Sequence, residues 1–236
     1  MGTADLLRRN AIIRQLPDHE FERLRDRVEI VDAELRQEVF RPGEPITHVY
    51  FPLTCVYSMV ALADDRVVIE VATTGPEGMA GLPLFLGAAT SPHAAFCQIP
   101  GQAAGLDAAG LRSLLSDDGT LHALLNRLTQ ATMVQVAQNV VCNGTHDVEQ
   151  RTARWLLTTH DRVDSDTFSL TQEFLAQMLG SRRQTVSQIA RRLQDRGLIT
   201  YVRGVMTVKD RAALEALACQ CYDIVRREFD AMTRDG

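Results

Sequence analysis

Leu170-Thr-Gln-Glu-Phe-Leu-Ala-Gln-Met-Leu-Gly-Ser-Arg-Arg-Gln-Thr-Val-Ser-Gln-Ile-Ala-Arg-Arg-Leu193 decides the reading of this chain. Its spacing predicts two helices joined by a tight turn. The first buries Phe174, Leu175, Met178 and Leu179. Gly180 supplies the turn, because a residue without Cβ accepts the positive φ that a helix end often needs. In the second helix Val186, Ile189 and Leu193 fall at i, i+3 and i+7 and make one apolar face. The other face carries Arg183, Gln184, Ser187, Gln188 and Arg191. Arg and Gln side chains on an exposed helix can pair with base edges in the major groove of DNA. A strand, a turn at Gly204 and a second strand, through Leu198 to Val208, follow as the expected wing.

The charge distribution agrees with that placement. The whole chain carries −5, which by itself would argue against a nucleic-acid partner. Residues 1–145 hold 11 Arg and 17 acidic residues, whereas residues 146–236 hold 14 basic and 13 acidic ones. Within 182–211, Arg182, Arg183, Arg191, Arg192, Arg196, Arg203, Lys209 and Arg211 face only Asp195 and Asp210. A cluster of this sign releases counterions from phosphate backbones and gives salt-dependent affinity.

Upstream, residues 4–28 read as two short helices, with Asp18 as a cap after Pro17. From Glu34 to about Ala108, runs rich in Val, Ile, Tyr and Phe are divided by turn signals at Arg41-Pro42-Gly43-Glu44, Asp64-Asp65, Thr74–Gly78 and Pro100-Gly101. Such spacing predicts an antiparallel sandwich or barrel, with Val67–Ala72 the clearest strand. A short helix, Ala108 to Leu115, precedes Ser116-Asp117-Asp118-Gly119, a candidate cap. A long helix from Thr120 to about Asn143 comes next. Leu121, Leu125 and Leu128 mark one stripe on it, continued with a phase shift by Met133, Val136, Ala137 and Val140, which suggests a dimer seam. Asn143-Gly144 is the expected hinge. A helix over Asp147–His160, with Trp155, Leu156 and Leu157 inward, opens the second domain, and a last helix covers Arg211 to about Phe229.

The most apolar stretch, Met79–Ala89, is half of a membrane span and is broken by Pro83; no apolar run follows Arg8 and Arg9 as in a secretory signal. No membrane partner is therefore expected, and the expected location is cytoplasmic. Five scattered cysteines do not suggest a disulfide framework.

A β-rich N-terminal half, one long helix and a winged helix-turn-helix together resemble the Crp/Fnr family of bacterial transcription regulators. The resemblance rests on Leu170–Ile199, on Phe40-Arg41-Pro42-Gly43-Glu44 with Tyr50 six positions on, and on the block from Glu149 to Leu157. It implies an α+β fold: an antiparallel β-roll of jelly-roll type over residues 1–118, a dimerisation helix over 119–144 and a winged helix-turn-helix over 145–236. It further implies a homodimer through Leu121–Val140 that reads a palindrome in double-stranded DNA, with half-sites about 34 Å apart, and allows contact with RNA polymerase. Carried onto this chain, Arg183, Gln184 and Gln188 read bases with Ser187 beside them, Arg182 and Thr185 touch phosphate, and Arg191 and Arg203 complete the interface. The family often has Glu in place of Gln184 and Arg in place of Gln188, so a different preferred site is expected here. Ser181-x-x-Gln184 also matches a capping box, which would hold Gln184 locally; base reading is the preferred role, since Ser181 can cap alone.

Relatives that bind cyclic nucleotides hold the phosphate with an Arg beside Ser or Thr. Met79-Ala80-Gly81-Leu82-Pro83 has no Glu beside Gly81, and no Arg occurs between Arg66 and Arg112, so no standard cyclic-nucleotide site is expected. No cofactor is predicted. His48, His93 and His122 are the candidates for haem, each more readily explained as an ordinary histidine. Cys55, Cys97 and Cys142 are isolated, and Cys219-x-Cys221 on a helix points two ways, so no metal site is expected. No Ser/His/Asp set or phosphate loop suggests an enzyme. The alternative function is a cyclic-nucleotide-type regulatory module that acts through protein partners.

Overall fold

The computed structural model describes residues 2–63, 67–115 and 119–234. Three short helices open it: α1 (Thr3–Leu7), α2 (Ala11–Arg14) and α3 (Asp18–Arg25). The sequence suggested two. Asn10 splits the first, its side chain accepting from the backbone N–H groups of Ile12 and Ile13 and starting α2 afresh. Pro17, not Asp18, is the cap residue of α3, and Asp18 lies in its first turn.

Strands β1 (Glu29–Ala33), β2 (Glu38–Phe40), β3 (His48–Pro52), β4 (Val56–Ala63) and β5 (Val67–Thr74) follow, then α4 (Leu82–Phe85), β6 (Ala94–Ile99) and β7 (Gly101–Asp107). They form two antiparallel sheets of order β1-β7-β3 and β2-β6-β4-β5, joined where β6 turns into β7. The strands begin five residues earlier than expected. The Asp64-Asp65 turn lies outside the described residues, as does the Ser116–Asp118 cap.

Helix α5 (Ala108–Leu114) leads to α6 (Thr120–Thr145). The cap of α6 comes from far away: the Glu20 carboxylate accepts from Thr120 and Leu121 N–H at 2.8 and 2.9 Å. Leu121, Leu124, Leu125 and Leu128 are buried against α1–α3, β3, β7 and α5 of the same chain. The leucine stripe is thus intramolecular core, and the expectation that it forms part of a seam is corrected. Farther on, Asn139 Nδ2 donates to Val71 O at 2.8 Å and Gln135 Oε1 accepts from Thr73 N at 3.2 Å. Strand β5 is the edge of its sheet, so these side chains satisfy backbone groups that would otherwise be open.

The helix passes through Gly144 and breaks at His146, whose backbone is extended. Helix α7 (Val148–His160), capped by Asp147, buries Trp155, Leu156 and Leu157 as the sequence suggested. Next come β8 (Thr167–Ser169), α8 (Gln172–Met178), α9 (Arg183–Asp195), β9 (Ile199–Val202) and β10 (Val205–Val208), with sheet order β8-β10-β9. The expected last helix is two, α10 (Arg211–Leu217) and α11 (Cys221–Arg234). Ala218 is extended between them, and α11 returns Val225, Phe229 and Met232 to the core around α6.

Candidate nucleic-acid interface

The apolar face of α9 buries Val186, Ile189 and Leu193 in one cluster with Phe174, Leu175 and Met178 of α8 and Trp155 of α7, and Ala190 is buried beside them. Burying that face fixes which side chains point out. Arg182, Arg183, Gln184, Gln188 and Arg191 are exposed, while Thr185 and Ser187 are half-buried. Gly180 holds the turn at φ +56°, as its missing Cβ allows. Arg182 occupies the cap position of α9 without a side-chain cap bond, so Ser181 does not cap and the capping box does not form. The leading N–H groups of α9 therefore lack a side-chain acceptor among the described residues. Uncapped N–H groups at a helix start are ready partners for phosphate.

Two of the sequence assignments shift in weight. Ser187 Oγ donates to Gln172 Oε1 of α8, so part of its hydrogen-bonding capacity is used inside the motif. The basic cluster is also partly neutralised by acids outside the 182–211 window. Glu149 pairs with Arg192 at 3.0 Å and with Arg196 at 3.5 Å, Asp161 pairs with Arg211, and Glu173 lies 4.0 Å from Arg183. Arg182, Arg191, Arg203 and Lys209 carry no ion pair among the described residues. Counting charge over residues 182–211 missed these partners because Glu149, Asp161 and Glu173 all lie upstream of that window.

The wing turns through Arg203 and Gly204, with φ of +50° and +79°. Two consecutive positive φ values make the two-residue hairpin loop that matches strand twist. Tyr201 fixes the wing to the motif: its hydroxyl donates to Leu170 O at 2.7 Å, and its N–H to Gln194 Oε1 at 2.9 Å.

Residues 150–217, which span this arrangement, match the Crp-like helix-turn-helix domain. A CRP-like cAMP-activated global transcriptional regulator of Mycobacterium tuberculosis is 26% identical over 219 residues, covering 89% of this chain and 97% of that one. Residues 150–217 thus form a Crp-like helix-turn-helix domain, and the chain is similar to a CRP-like regulator over most of its length. It is a DNA-binding transcription regulator. The fold of the whole regulator agrees. FixK2 of Bradyrhizobium japonicum superposes with a TM-score of 0.69 at 18% identity, over 81% of this chain and 98% of that one. A CRP-family regulator of Thermus thermophilus gives 0.67 at 22%, over 80% and 96%. No helix among the described residues of the regulator is long and apolar enough to cross a membrane.

The β-roll of the regulator encloses a cavity of about 340 Å³ between Tyr57, Met59, Met79, Gly81, Pro92 and the α6 residue Met133. Its walls are mostly carbon. Ser91, His93, Thr129 and Thr132 are among its few polar residues, and among the described residues no Arg, Lys, Asp or Glu lines it. The Met79–Pro83 segment forms one wall, with Gly81 at φ +101° against Val49. Of the three histidines weighed as ligands, only His93 lines this cavity; His48 stacks on Tyr50 and His122 meets the edge of Phe85.

Sheet and winged helix meet through a buried polar network that left no sign in the sequence. Trp155 Nε1 donates to Glu70 Oε1 at 2.8 Å, Ser58 Oγ lies 2.7 Å from Glu70 Oε2, and Gln98 Nε2 donates to Thr159 Oγ1 at 3.1 Å. Nearby, Arg162 donates to Glu77 at 2.7 Å and to Thr73 at 2.8 Å.

Proposed function

We propose that this regulator works in the cytoplasm as a homodimer that reads a two-fold symmetric DNA site, with α9 in the major groove and an apolar effector in the β-roll cavity. The observation that carries the reading is the exposed face of α9. Arg183, Gln184, Gln188 and Arg191 project together from a helix whose other face is locked in the core. Arg183 is the candidate for guanine, and Gln184 and Gln188 for adenine. Arg182, Thr185 and the uncapped start of α9 meet phosphate, as does Arg203 on the wing. Ser187 keeps a secondary role because Gln172 already holds its hydroxyl. Residues 1–118, 119–144 and 145–236 serve as sensor, dimer helix and DNA reader, and RNA polymerase is the downstream partner. The reading assigns the chain no catalysis.

The dimer face lies on the side of α6 opposite the leucine stripe. Met133 is 64% and Val140 70% exposed, and with Asn126, Gln130, Ala137 and Gly144 they recur at alternating spacings of four and three residues. That is the heptad seam of paired helices. The relative from M. tuberculosis is named as cAMP-activated. Here a cyclic phosphate would find no cation among the described residues of the cavity wall, so an apolar ligand suits the lining better. Such a ligand would touch Thr129, Thr132 and Met133 and thereby reach the dimer helix.

Selection of binding sites from random duplex DNA tests the reading. Enrichment of a two-fold symmetric motif, with adenine where Gln184 and Gln188 reach, is the expected result. Salt-sensitive binding without any motif, from a protein that sizes as a monomer, would instead favour a winged helix that serves a protein partner.

A further inference from the structure

Four soft ligands meet where α6 ends. Cys142 lies in the last turn of α6, and His146 is its C-cap residue, with its N–H bonded to Cys142 O at 3.1 Å. The extended backbone at Ala218 ends α10 and lets Cys219 and Cys221 turn towards the same point, which a continuous helix would forbid. The Cys142 and Cys219 sulfurs are 3.5 Å apart, Cys221 Sγ is 3.6 Å from His146 Nδ1, and the four ligand atoms all lie within 4.8 Å of one another. Around a tetrahedral zinc ion, bonds of about 2.3 Å to sulfur and about 2.0 Å to nitrogen put neighbouring ligand atoms about 3.5–3.8 Å apart. We propose that Cys142, His146, Cys219 and Cys221 bind one thiophilic divalent cation, zinc, in a Cys₃His site that clasps the end of the long helix to the α10–α11 junction.

The surroundings support a site rather than core filler. The three buried thiols form a cluster of their own, with no aliphatic side chain in it. Zinc held by three thiolates and a neutral imidazole carries one net negative charge. Arg151 and Arg154 lie on α7, which begins two residues past His146. Each of these arginines has a buried Nε without a hydrogen-bond partner among the described residues. Gln138 Nε2 donates to Cys221 Sγ at 3.2 Å, the kind of outer contact that orients a metal ligand. Thiolates spread over several irons of an iron–sulfur cluster would stand farther apart than these do. Binding is proton exchange without redox change: three thiols release three protons to solvent as three sulfur–metal bonds form. The clasp spans the break at His146, so it fixes how α7 and the winged helix leave α6.

The test is metal content of the reduced full-length chain, made without a histidine tag, followed by cobalt titration of the stripped protein. About one zinc per chain is expected, together with the thiolate-to-cobalt charge-transfer band and strong visible bands of tetrahedral Co²⁺. Cys221→Ser should lose both signals and Cys55→Ser should keep them. Reduced wild-type protein that retains no zinc and develops no charge-transfer band would overturn the site, as would a band unchanged in Cys221→Ser or an oxidised Cys142–Cys219 bridge in place of metal. If Cys221→Ser does not fold, the wild-type titration still decides.

Discussion

Glu70 shows at the scale of one residue how the sheet and the winged helix are joined. Ser58 Oγ stands 2.7 Å from the carboxyl of Glu70 and 2.6 Å from Gln98 Oε1, yet a hydroxyl has one proton. The bonds balance when Glu70 is protonated and donates to Ser58, which donates to Gln98. Burial drives this, lifting the carboxyl from 4.5 to about 7 although its contacts with Ser58 and Trp155 and the charges of Arg154 and Arg162 pull the other way. A raised carboxyl means that the folded chain holds a proton the unfolded chain releases. Stability therefore falls as pH rises from about 4.5 to about 7, then levels off. Glu70→Gln keeps a donor and an acceptor without the charge. Urea midpoints of the variant should lose this fall and exceed the wild type at pH 8; equal pH slopes in the two proteins would refute the assignment. The base readers make the contrasting case. Arg183→Ala should weaken the selected site by about 1–3 kcal/mol and relax one position, whereas Arg182→Ala should weaken all sequences evenly. Quantitative binding to a panel of single-base variants checks both. Arg183 was legible because a polar stripe opposite an apolar face has one outward direction. Glu70 was not, because one acid within Val67–Ala72 reads like any solvent-facing strand position until the helix that covers it is known.

At the scale of the element, α6 explains why periodicity found the helix and misjudged its faces. It is apolar on two sides. Leu121, Leu125 and Leu128 give one stripe, Met133, Ala137 and Val140 another, and the sequence reading joined them by a shift in phase. A 3.6-residue repeat tells that a face is apolar but not whether the chain itself or a second copy covers it. The structure separates them, with Leu128 1% exposed beneath Gly78 and Val140 70% exposed. Leu128→Asp would bury a charge in the core and should unfold the chain, at a cost above about 4 kcal/mol. Val140→Glu should leave the fold intact, as followed by circular dichroism, and convert the dimer to monomer on a sizing column. A dimer that survives Val140→Glu together with Met133→Glu would move the interface off this face. The α10–α11 junction was illegible for a different reason: Ala218-Cys219-Gln220 contains neither Gly nor Pro. The break there follows from tertiary demand, since α11 must turn to deliver Val225, Phe229 and Met232 to α6.

At the scale of the molecule, the turn from one half to the other near residue 145 was legible, but the shared core was not. Val56, Val60 and Ile99 of the β-roll lie in one cluster with Trp155, Phe174 and Ile189 of the winged helix, while α11 packs into the core around α6. Contacts at such sequence separation have no local signature. Arg162 concentrates the coupling: it is nearly buried, pairs with Glu77 from the loop after β5, bonds Thr73 and Thr158, and lies over the Phe229 ring. Its stem passes so close to Gly75 that a Cβ there would sit 2.7 Å from Arg162 Cγ, so Gly75→Ala should displace it. Losing one partner of such a pair strands the other charge, a penalty of about 3–5 kcal/mol. Arg162→Ala should therefore lower the melting temperature by roughly 6–20 °C for a chain of this size. Adding Glu77→Gln to Arg162→Met removes both charges, and most of the lost stability should return. Melting curves of the single and double variants separate the two contributions. If the double variant is no better than Arg162→Ala, the clasp between the halves resides in the packing of the arginine stem against Gly75 and Phe229 and not in the charge pair.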